Sequence, residues 1–376
     1  MAAMSVIAPL RILLLSAYDA ASHRYWRRGL VGAFPQHHWC QLTLPPRHFS
    51  WRIRGNPLSW LHGAGAQLRA PYDLIIATSM VDLATLKGLL PSLARTPSLC
   101  YFHENQFEFP RSLHQHPGVE AQMVNLYAAL AADRVVFNSA FNRDTFIAGA
   151  NALLRRLPDQ RPNTIEPWLE GRTAVLPVPL ADELAAVTRQ PAAEFTLVWN
   201  HRWEYDKGPE RLELTLAGLV QRRIPFRLHL LGEQFRSRPE ALARILAQYA
   251  SYLGQVGYVP ERADYYRLLA QSHLVLSNSL HEFQGLAVME AAALGALPRV
   301  PQRLSYPELF PADCCYPAAD DPAQEALQLV ERIAQDYQRF RCGALPPAPS
   351  MAAYGWRQMR PRYADLVARL CGDRGA

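Results

Sequence analysis

Lysine is nearly missing from this chain: among 39 cationic side chains in 376 residues, only Lys87 and Lys207 are not arginine. Cysteine is sparse as well. The six residues Cys40, Cys100, Cys314, Cys315, Cys342 and Cys371 form no C-x-x-C pair, which excludes a sequence-readable zinc site and a dense disulfide framework. That scatter is expected of a reduced, cytoplasmic protein, with adjacent Cys314 and Cys315 as packing residues. Long apolar runs are also lacking. The stretch Ile12–Leu15 is too short for a signal h-region or a membrane span, and no basic n-region or cleavage site accompanies it. It reads as a first core strand. There are no short internal repeats and no low-complexity tracts.

What is present is the composition of a globular enzyme. Hydrophobic residues make up 49% and charged residues 19%, which excludes a disordered chain. The length predicts two domains, each able to bury its own core. A net charge of +6 permits a polyanionic partner such as RNA without requiring one.

Short apolar runs recur, each ending in small or polar residues and followed by helical periodicity. In the first half they are Arg11–Leu15, Leu74–Ala77, Ser98–Phe102, Arg134–Phe137 and Ala174–Leu176. In the second half they are Phe195–Trp199, Arg227–Leu231, Gln255–Val259 and Leu274–Ser277. Strands alternating with helices predict an α/β protein with parallel sheets covered on both faces. A break at Pro177-Val178-Pro179 divides a domain over 1–180 from one over 190–345. Two Rossmann-like domains in tandem predict a cleft between their strand C-termini. After Pro346-Pro347, a last amphipathic helix within 350–376 is expected to cross back onto the first domain.

Lys207 closes the segment Phe195–Gly208, a buried strand running into a loop with Arg202 five residues earlier. A lone turn lysine is usually just solvated. A guanidinium and a compact ammonium beyond a strand end also form a grip for a diphosphate. A second signal, His281-Glu282-Phe283-Gln284-Gly285-Leu286-Ala287-Val288-Met289-Glu290, follows the strand Leu274–Ser277. Gly285 lets the backbone approach a ligand, and the amides of Gly285, Leu286 and Ala287 at a helix start form an anion site. Glu282 lies before these amides and Glu290 is placed two turns into the helix, each able to accept hydroxyl hydrogen bonds. Glu-x7-Glu alone is weak and fits a helix-stabilising carboxylate plus a surface glutamate; beside Arg202 and Lys207 it becomes strong.

In the first half, Phe102-His103-Glu104-Asn105-Gln106 puts a polar quartet at a strand end. A lone histidine there is more often structural than catalytic, but four hydrogen-bonding side chains in a row point to sugar or acceptor hydroxyls. The segment Arg47–Arg54 interleaves basic and aromatic residues and is the best local candidate for touching a nucleic acid. A surface loop of snorkelling arginines explains it nearly as well.

These donor-side residues resemble the GT-B glycosyltransferases of family 4 across the whole second domain. The resemblance implies that Arg202 and Lys207 grip the donor diphosphate, Glu282 the donor sugar and Glu290 the ribose. It places the nucleotide base on Gly257-Tyr258-Val259, and implies a retaining reaction without a metal; no D-x-D motif is present. Phe102–Gln106, Phe137-Asn138-Ser139-Ala140-Phe141-Asn142, Leu157–Pro162 and Leu44–Arg52 are similar to the tRNA-queuosine α-mannosyltransferase family. That likeness implies GDP-mannose as donor substrate, no separate cofactor, and queuosine-bearing tRNA as partner, with neither DNA nor membrane involved. It assigns His103 to positioning the sugar and stabilising positive charge near its anomeric carbon, counts His103, Glu282, Arg202 and Lys207 as catalytic, and assigns Ser22, His23, Arg47, Arg52, Glu104, Asn105 and Asn138 to the acceptor. One departure is Ala20-Ala21-Ser22-His23, where that family tends to carry Gly-Gly-Ser-His. A family 4 transferase with a lipid-linked or polysaccharide acceptor would share every donor residue. A non-catalytic RNA- or sugar-binding protein on the same scaffold is the reading from another class.

Overall fold

The computed structural model describes residues 8–108, 119–234 and 238–372. The chain divides into two compact units, residues 1–179 with 356–376, and residues 180–355.

The first unit holds a six-stranded sheet of β1 (Arg11–Ser16), β2 (His38–Thr43), β3 (Leu74–Thr78), β4 (Ser98–Phe102), β5 (Arg134–Phe137) and β6 (Thr173–Val175), in the order β2-β1-β3-β4-β5-β6. Every neighbouring pair is parallel. Strands β3 and β4 are buried along their whole length, which is why they read as continuous apolar runs rather than alternating ones. The edge strand β2, His-Trp-Cys-Gln-Leu-Thr, is largely exposed or half-buried, and its mixed composition hid it from the sequence reading. The order turns back on itself between β1 and β3, so the carboxyl ends of those strands form the unit's topological switch point.

The helix Trp356–Gly372 packs within this first unit. The Tyr363 hydroxyl accepts from Trp26 Nε1 at 3.0 Å and donates to the Pro177 carbonyl at 3.0 Å. Trp26 in turn stacks on Tyr101, ring centroids 4.3 Å apart.

The second unit contains β7 (Thr196–Asn200), β8 (Arg227–Leu231), β9 (Leu253–Gly257), β10 (Leu274–Leu276), β11 (Leu297–Pro301) and β12 (Cys315–Tyr316), ordered β12-β11-β10-β7-β8-β9 and again parallel. Its switch point lies between β7 and β10. Strands β11 and β12 escaped the sequence reading for physical reasons. Leu-Pro-Arg-Val-Pro contains two prolines, which argue against a sheet interior, and β12 is two residues long. The arginine of β11 is nevertheless buried: Arg299 forms a bidentate pair with Asp336 of the helix Pro322–Arg341, at 2.5 and 2.7 Å. The architecture is α/β, two Rossmann-like units of parallel sheet with flanking helices.

The Arg47–Arg54 segment is not the loop that one reading of it suggested. From Phe49 it forms the first turns of a helix that runs to Leu68, with a break in helical angles at Ala64.

Candidate functional site

In the second unit the loops after β7 and β10 meet at the switch point. Leu280 and His281 both donate their backbone N–H to the Asp206 carbonyl, at 2.8 and 3.3 Å. This clamps the Tyr205–Lys207 turn against the loop that carries Glu282. Lys207 Nζ donates to the His281 carbonyl at 2.7 Å, and lies 3.1 Å from Asp206 Oδ2 and 3.4 Å from Glu282 Oε2. Its side chain is only 7% exposed. The three donors of the ammonium thus meet three acceptors from two loops, so Lys207 is anything but a solvated turn residue.

Charge within this cluster is strongly biased. Burial opposes the Lys207 ammonium, but Glu282 and Asp206 override it and hold the ammonium above the ordinary lysine value. Burial would also raise Glu282, yet Lys207 and the amides of Gly285 and Gln284 bring its carboxyl down to about 2. The Phe283 and Gln284 amides reach Glu282 Oε1 at 3.1 and 3.4 Å. Asp206 lies below the usual carboxylate range: burial pushes it up, while Lys207 and His281 more than compensate. Burial and then Lys207 bring His201 down to about 4, so that imidazole is neutral at pH 7.

Gly285 caps the helix Leu286–Ala293 with φ of 79°, a left-handed conformation that favours glycine. A side chain there would also collide with Tyr306, since a Cβ would lie 2.8 Å from its ring. The amides of Leu286, Ala287 and Val288 begin this helix without preceding intrahelical acceptors, and no acidic residue sits in its first turn. An anion can therefore meet several N–H dipoles there. Glu290 is the fifth residue of the helix, one turn in rather than two. Its Oε2 accepts from the Tyr265 hydroxyl at 3.3 Å, and that hydroxyl accepts from Asn200 Nδ2 at 3.0 Å. Asn200, at the end of β7, also donates to the Ala287 carbonyl at 2.7 Å. Burial, opposed by Arg262 and Tyr265, raises Glu290 to about 7.

The structure therefore brings Lys207, Glu282, Gly285, Leu286, Ala287 and Glu290 around one switch point. Arg202 stands apart from the buried part of the cluster: its side chain is 48% exposed and pairs with Glu204 at 2.9 Å. Tyr258 is exposed beyond the end of β9. Asp206, His201, Asn200 and Tyr265 were missed by sequence reasoning. Asp206 carried a usable signal, since an acid adjoining a candidate phosphate lysine is itself a candidate partner; Tyr265 carried none.

In the first unit, the residues after β1, β3 and β4 converge. His23, in the first turn of the helix Ala21–Ala33, lies with Nε2 2.9 Å from Glu104 Oε2. Ser79 Oγ donates to Glu104 Oε1 at 3.0 Å. The His23 and His103 rings stack at 4.3 Å, and Trp26 meets His103 edge-on at 5.0 Å. Burial, then His23, hold His103 well below the ordinary histidine value. His103 is thus a neutral hydrogen-bonding group in the physiological range, and its Nε2 is buried with no partner among the described residues.

The remainder of the expected acceptor set is divided. Asn105 is buried, donates to Asn142 Oδ1 and Thr145 Oγ1 at 2.9 and 3.0 Å, and accepts from the Phe107 and Glu108 amides. Asn138 donates to the His103 carbonyl at 2.8 Å and accepts from Asn142 at 2.8 Å. Gln106 Nε2 faces Met80 Sδ at 3.7 Å. Asn105 and Asn138 are therefore scaffold beneath the cluster, which leaves His103, Glu104 and half-buried Gln106 of the expected quartet. Ser22 is exposed at the start of its helix. Ala20, just before this helix, has φ of −62°, an angle that does not require glycine. Arg47 is exposed, and Arg52 is half-buried with Nη1 3.3 Å from Ser59 Oγ. They lie past the end of β2, whose continuation is tied to β1 by Leu44 donating to the Ser16 carbonyl at 2.9 Å.

Known proteins resemble both units. Residues 11–180 match the family model described as tRNA-queuosine alpha-mannosyltransferase N-terminal. A Drosophila melanogaster protein named tRNA-queuosine alpha-mannosyltransferase is 32% identical over 98% of this chain and 99% of its own. Among solved structures, sucrose-phosphate synthase from Thermosynechococcus elongatus superposes with a TM-score of 0.65 at 17% identity, covering 96% of this chain and 100% of that one. Anabaena HepE in complex with UDP and glucose gives 0.65 at 15% identity, covering 96% and 99%. At that identity the likeness concerns the fold, which is GT-B. Identity of 32% along 98% of the chain carries more: this glycosyltransferase belongs to the tRNA-queuosine alpha-mannosyltransferase family.

Proposed function

We propose that this chain transfers mannose from GDP-mannose to a hydroxyl of the queuosine cyclopentenediol in a tRNA anticodon, retaining anomeric configuration and using no metal ion. The supporting observation is the convergence of Lys207, Glu282 and the amino end of the Leu286–Ala293 helix at the second unit's switch point. The relative's name supports the choice of sugar and acceptor.

Departure of GDP leaves negative charge on the diphosphate, and preorganised donors are the strongest way to stabilise it. Arg202, Glu204, Asp206, Lys207 and Glu282 together place two cations against three carboxylates. A diphosphate is therefore held by exposed Arg202 and the helix amides as well as by Lys207, whose contact with Glu282 is the longest of its three. Glu282 holds sugar hydroxyls. With its carboxyl at about 2 and its oxygens already accepting from Lys207 and two amides, it is a poor nucleophile, and a covalent glycosyl-enzyme is not invoked. Neutral His103 offers a substrate hydroxyl a hydrogen bond rather than a charge. The acceptor oxygen bonds to the anomeric carbon on the face from which GDP leaves, and a departing phosphate oxygen takes the acceptor proton.

The test is mass spectrometry of nucleosides from queuosine-containing tRNA incubated with the protein, GDP-mannose and EDTA. One added hexose on queuosine is the expected result. Turnover of GDP-mannose with a lipid or polysaccharide acceptor alone would reject the tRNA assignment, and strict dependence on a divalent ion would reject the metal-free one.

A further inference from the structure

Between Asp19 and Asp73 the chain carries seven arginines, at 24, 27, 28, 47, 52, 54 and 69, and not one carboxylate. Asp19 itself pairs with Arg24 at 3.5 Å and Arg27 at 2.9 Å, which leaves Arg28, Arg47, Arg52 and Arg69 without a carboxylate partner among the described residues. Within this basic stretch Trp51 is 50% exposed in the first turn of the Phe49–Leu68 helix. Large exposed aromatics in a basic setting are the usual means of holding unpaired nucleobases. The way Trp51 is seated adds a specific argument. A Cβ built on Gly55, one turn further along, would lie 2.6 Å from each of Cδ2, Cε2 and Cε3 of the indole. Equal distances to three contiguous ring atoms put that position over the face of the benzo ring, not at its edge. The indole therefore lies flat on the helix backbone, which only glycine permits at 55. One ring face is supported by the helix and the half-exposed side chain presents the rest to solvent. Arg47 is exposed four residues before it, outside the helix and ahead of left-handed His48, and Arg54 is 55% exposed one turn after, although its Nη1 is held by Asp82 at 2.7 Å.

We propose that Trp51, laid flat on Gly55, is a stacking platform for an unpaired nucleobase of the RNA acceptor. The inference rests on the tRNA reading above and deepens it: a phosphate-binding stripe alone does not need a flat aromatic, whereas a splayed loop base does. Trp51 is assigned to binding the acceptor, not to the transfer step.

The experiment measures binding of queuosine-containing tRNA to the full chain over a salt series, alongside donor binding, for wild type, Trp51→Ala, Trp51→Phe, Gly55→Ala and Arg47→Ala. Loss of one stacked base weakens RNA binding roughly 5- to 150-fold. Trp51→Ala is expected in that range with an unchanged slope of log affinity against log salt. Trp51→Phe should recover part of the loss, and Gly55→Ala should weaken RNA binding by tilting the ring while keeping the indole. Arg47→Ala instead should lower the salt slope by about 0.7–0.9 if it meets one phosphate. Trp51→Ala binding RNA as wild type overturns the proposal, as does a loss matched by a reduced salt slope. If wild-type protein binds no tRNA at all, the tRNA reading itself fails, which is a distinct outcome.

Discussion

Lys207 invites an alanine substitution as a phosphate-grip mutant, and the sequence alone suggests that the fold would tolerate it. The structure predicts otherwise. The ammonium lies 3.1 Å from Asp206 and 3.4 Å from Glu282, with all three side chains mostly or wholly withdrawn from water. Removing one partner of a buried charge cluster leaves the others uncompensated, at a cost of about 3–5 kcal/mol. A second route gives a similar figure. Holding Glu282 near 2 rather than at its ordinary 4.5 stabilises the fold by roughly 3 kcal/mol. The second figure also contains His201 and the amides of Gly285 and Gln284, so Lys207 supplies only part of it and the two figures do not add. The sign follows from the depressed carboxyl: this stability is fully present above about pH 4.5 and is lost as pH falls toward 2. In Lys207→Ala, urea unfolding followed by Trp199 and Trp203, both buried in the second unit, should show a midpoint lower by the equivalent of about 3 kcal/mol. Thermal unfolding of a unit this size should drop by about 6–12 °C. The acid-side gain between pH 2 and 4.5 should shrink with it. An unchanged midpoint and melting temperature would show that Lys207 does not neutralise these carboxylates, and the charge assignment of the site would fall. A loss of turnover in this variant therefore needs a stability measurement beside it.

Arg202 is the cleaner probe of the diphosphate grip. Its side chain is half exposed, so Arg202→Ala should leave stability within about 0.5 kcal/mol while turnover falls about 10²–10³-fold; steady-state kinetics with a urea titration checks both. Glu290 is raised to about 7, so it binds a proton in the folded state that the unfolded chain releases near pH 4.5. Its contribution makes stability decline from pH 4.5 to 7 and level off above. A ribose hydroxyl donates better to the ionised carboxylate, so calorimetric GDP affinity should rise more steeply through pH 7 in wild type than in Glu290→Gln, where only the ionisation of the nucleotide's terminal phosphate contributes. A parallel pH profile in that variant would remove Glu290 from the ribose.

The candidate cluster of the second unit was legible as a place because its residues are local in sequence: Arg202 and Lys207 follow one strand, Glu282 to Glu290 follow another, and parallel topology brings the two ends together. The first unit was likewise legible only as a place. His103-Glu104-Asn105-Gln106 does sit at the end of β4, but burial divides it, sending Asn105 inward to Asn142 and leaving Glu104 to His23 and Ser79. No pattern in one sequence distinguishes a polar side chain bound to its own scaffold from one offered to a ligand. Beside its two prolines, β11 was hidden by the same limit: Arg299 is buried because Asp336, 37 residues away, satisfies it.

The scarcity of lysine has a structural counterpart. Lys87, the other one, lies outside both clusters, on the helix Leu83–Leu89. Its Nζ donates to Ser98 Oγ at 2.7 Å and to the Ala131 carbonyl at 2.8 Å, and lies 3.8 Å from Asp133. Like Lys207 it is a withdrawn ammonium whose donors diverge toward acceptors on separate elements. A guanidinium carries its donors in one plane on a bulkier head, and matches a carboxylate edge better than divergent acceptors. At these two positions, then, arginine is the wrong shape rather than the wrong charge. Lys87→Arg should lose about 1–3 kcal/mol by stranding a buried acceptor, with donor affinity intact, whereas Arg28→Lys on the exposed face of its helix should stay within about 0.5 kcal/mol. Denaturation of both variants decides it: a Lys87→Arg chain as stable as wild type would mean that geometry does not explain why lysine is retained there.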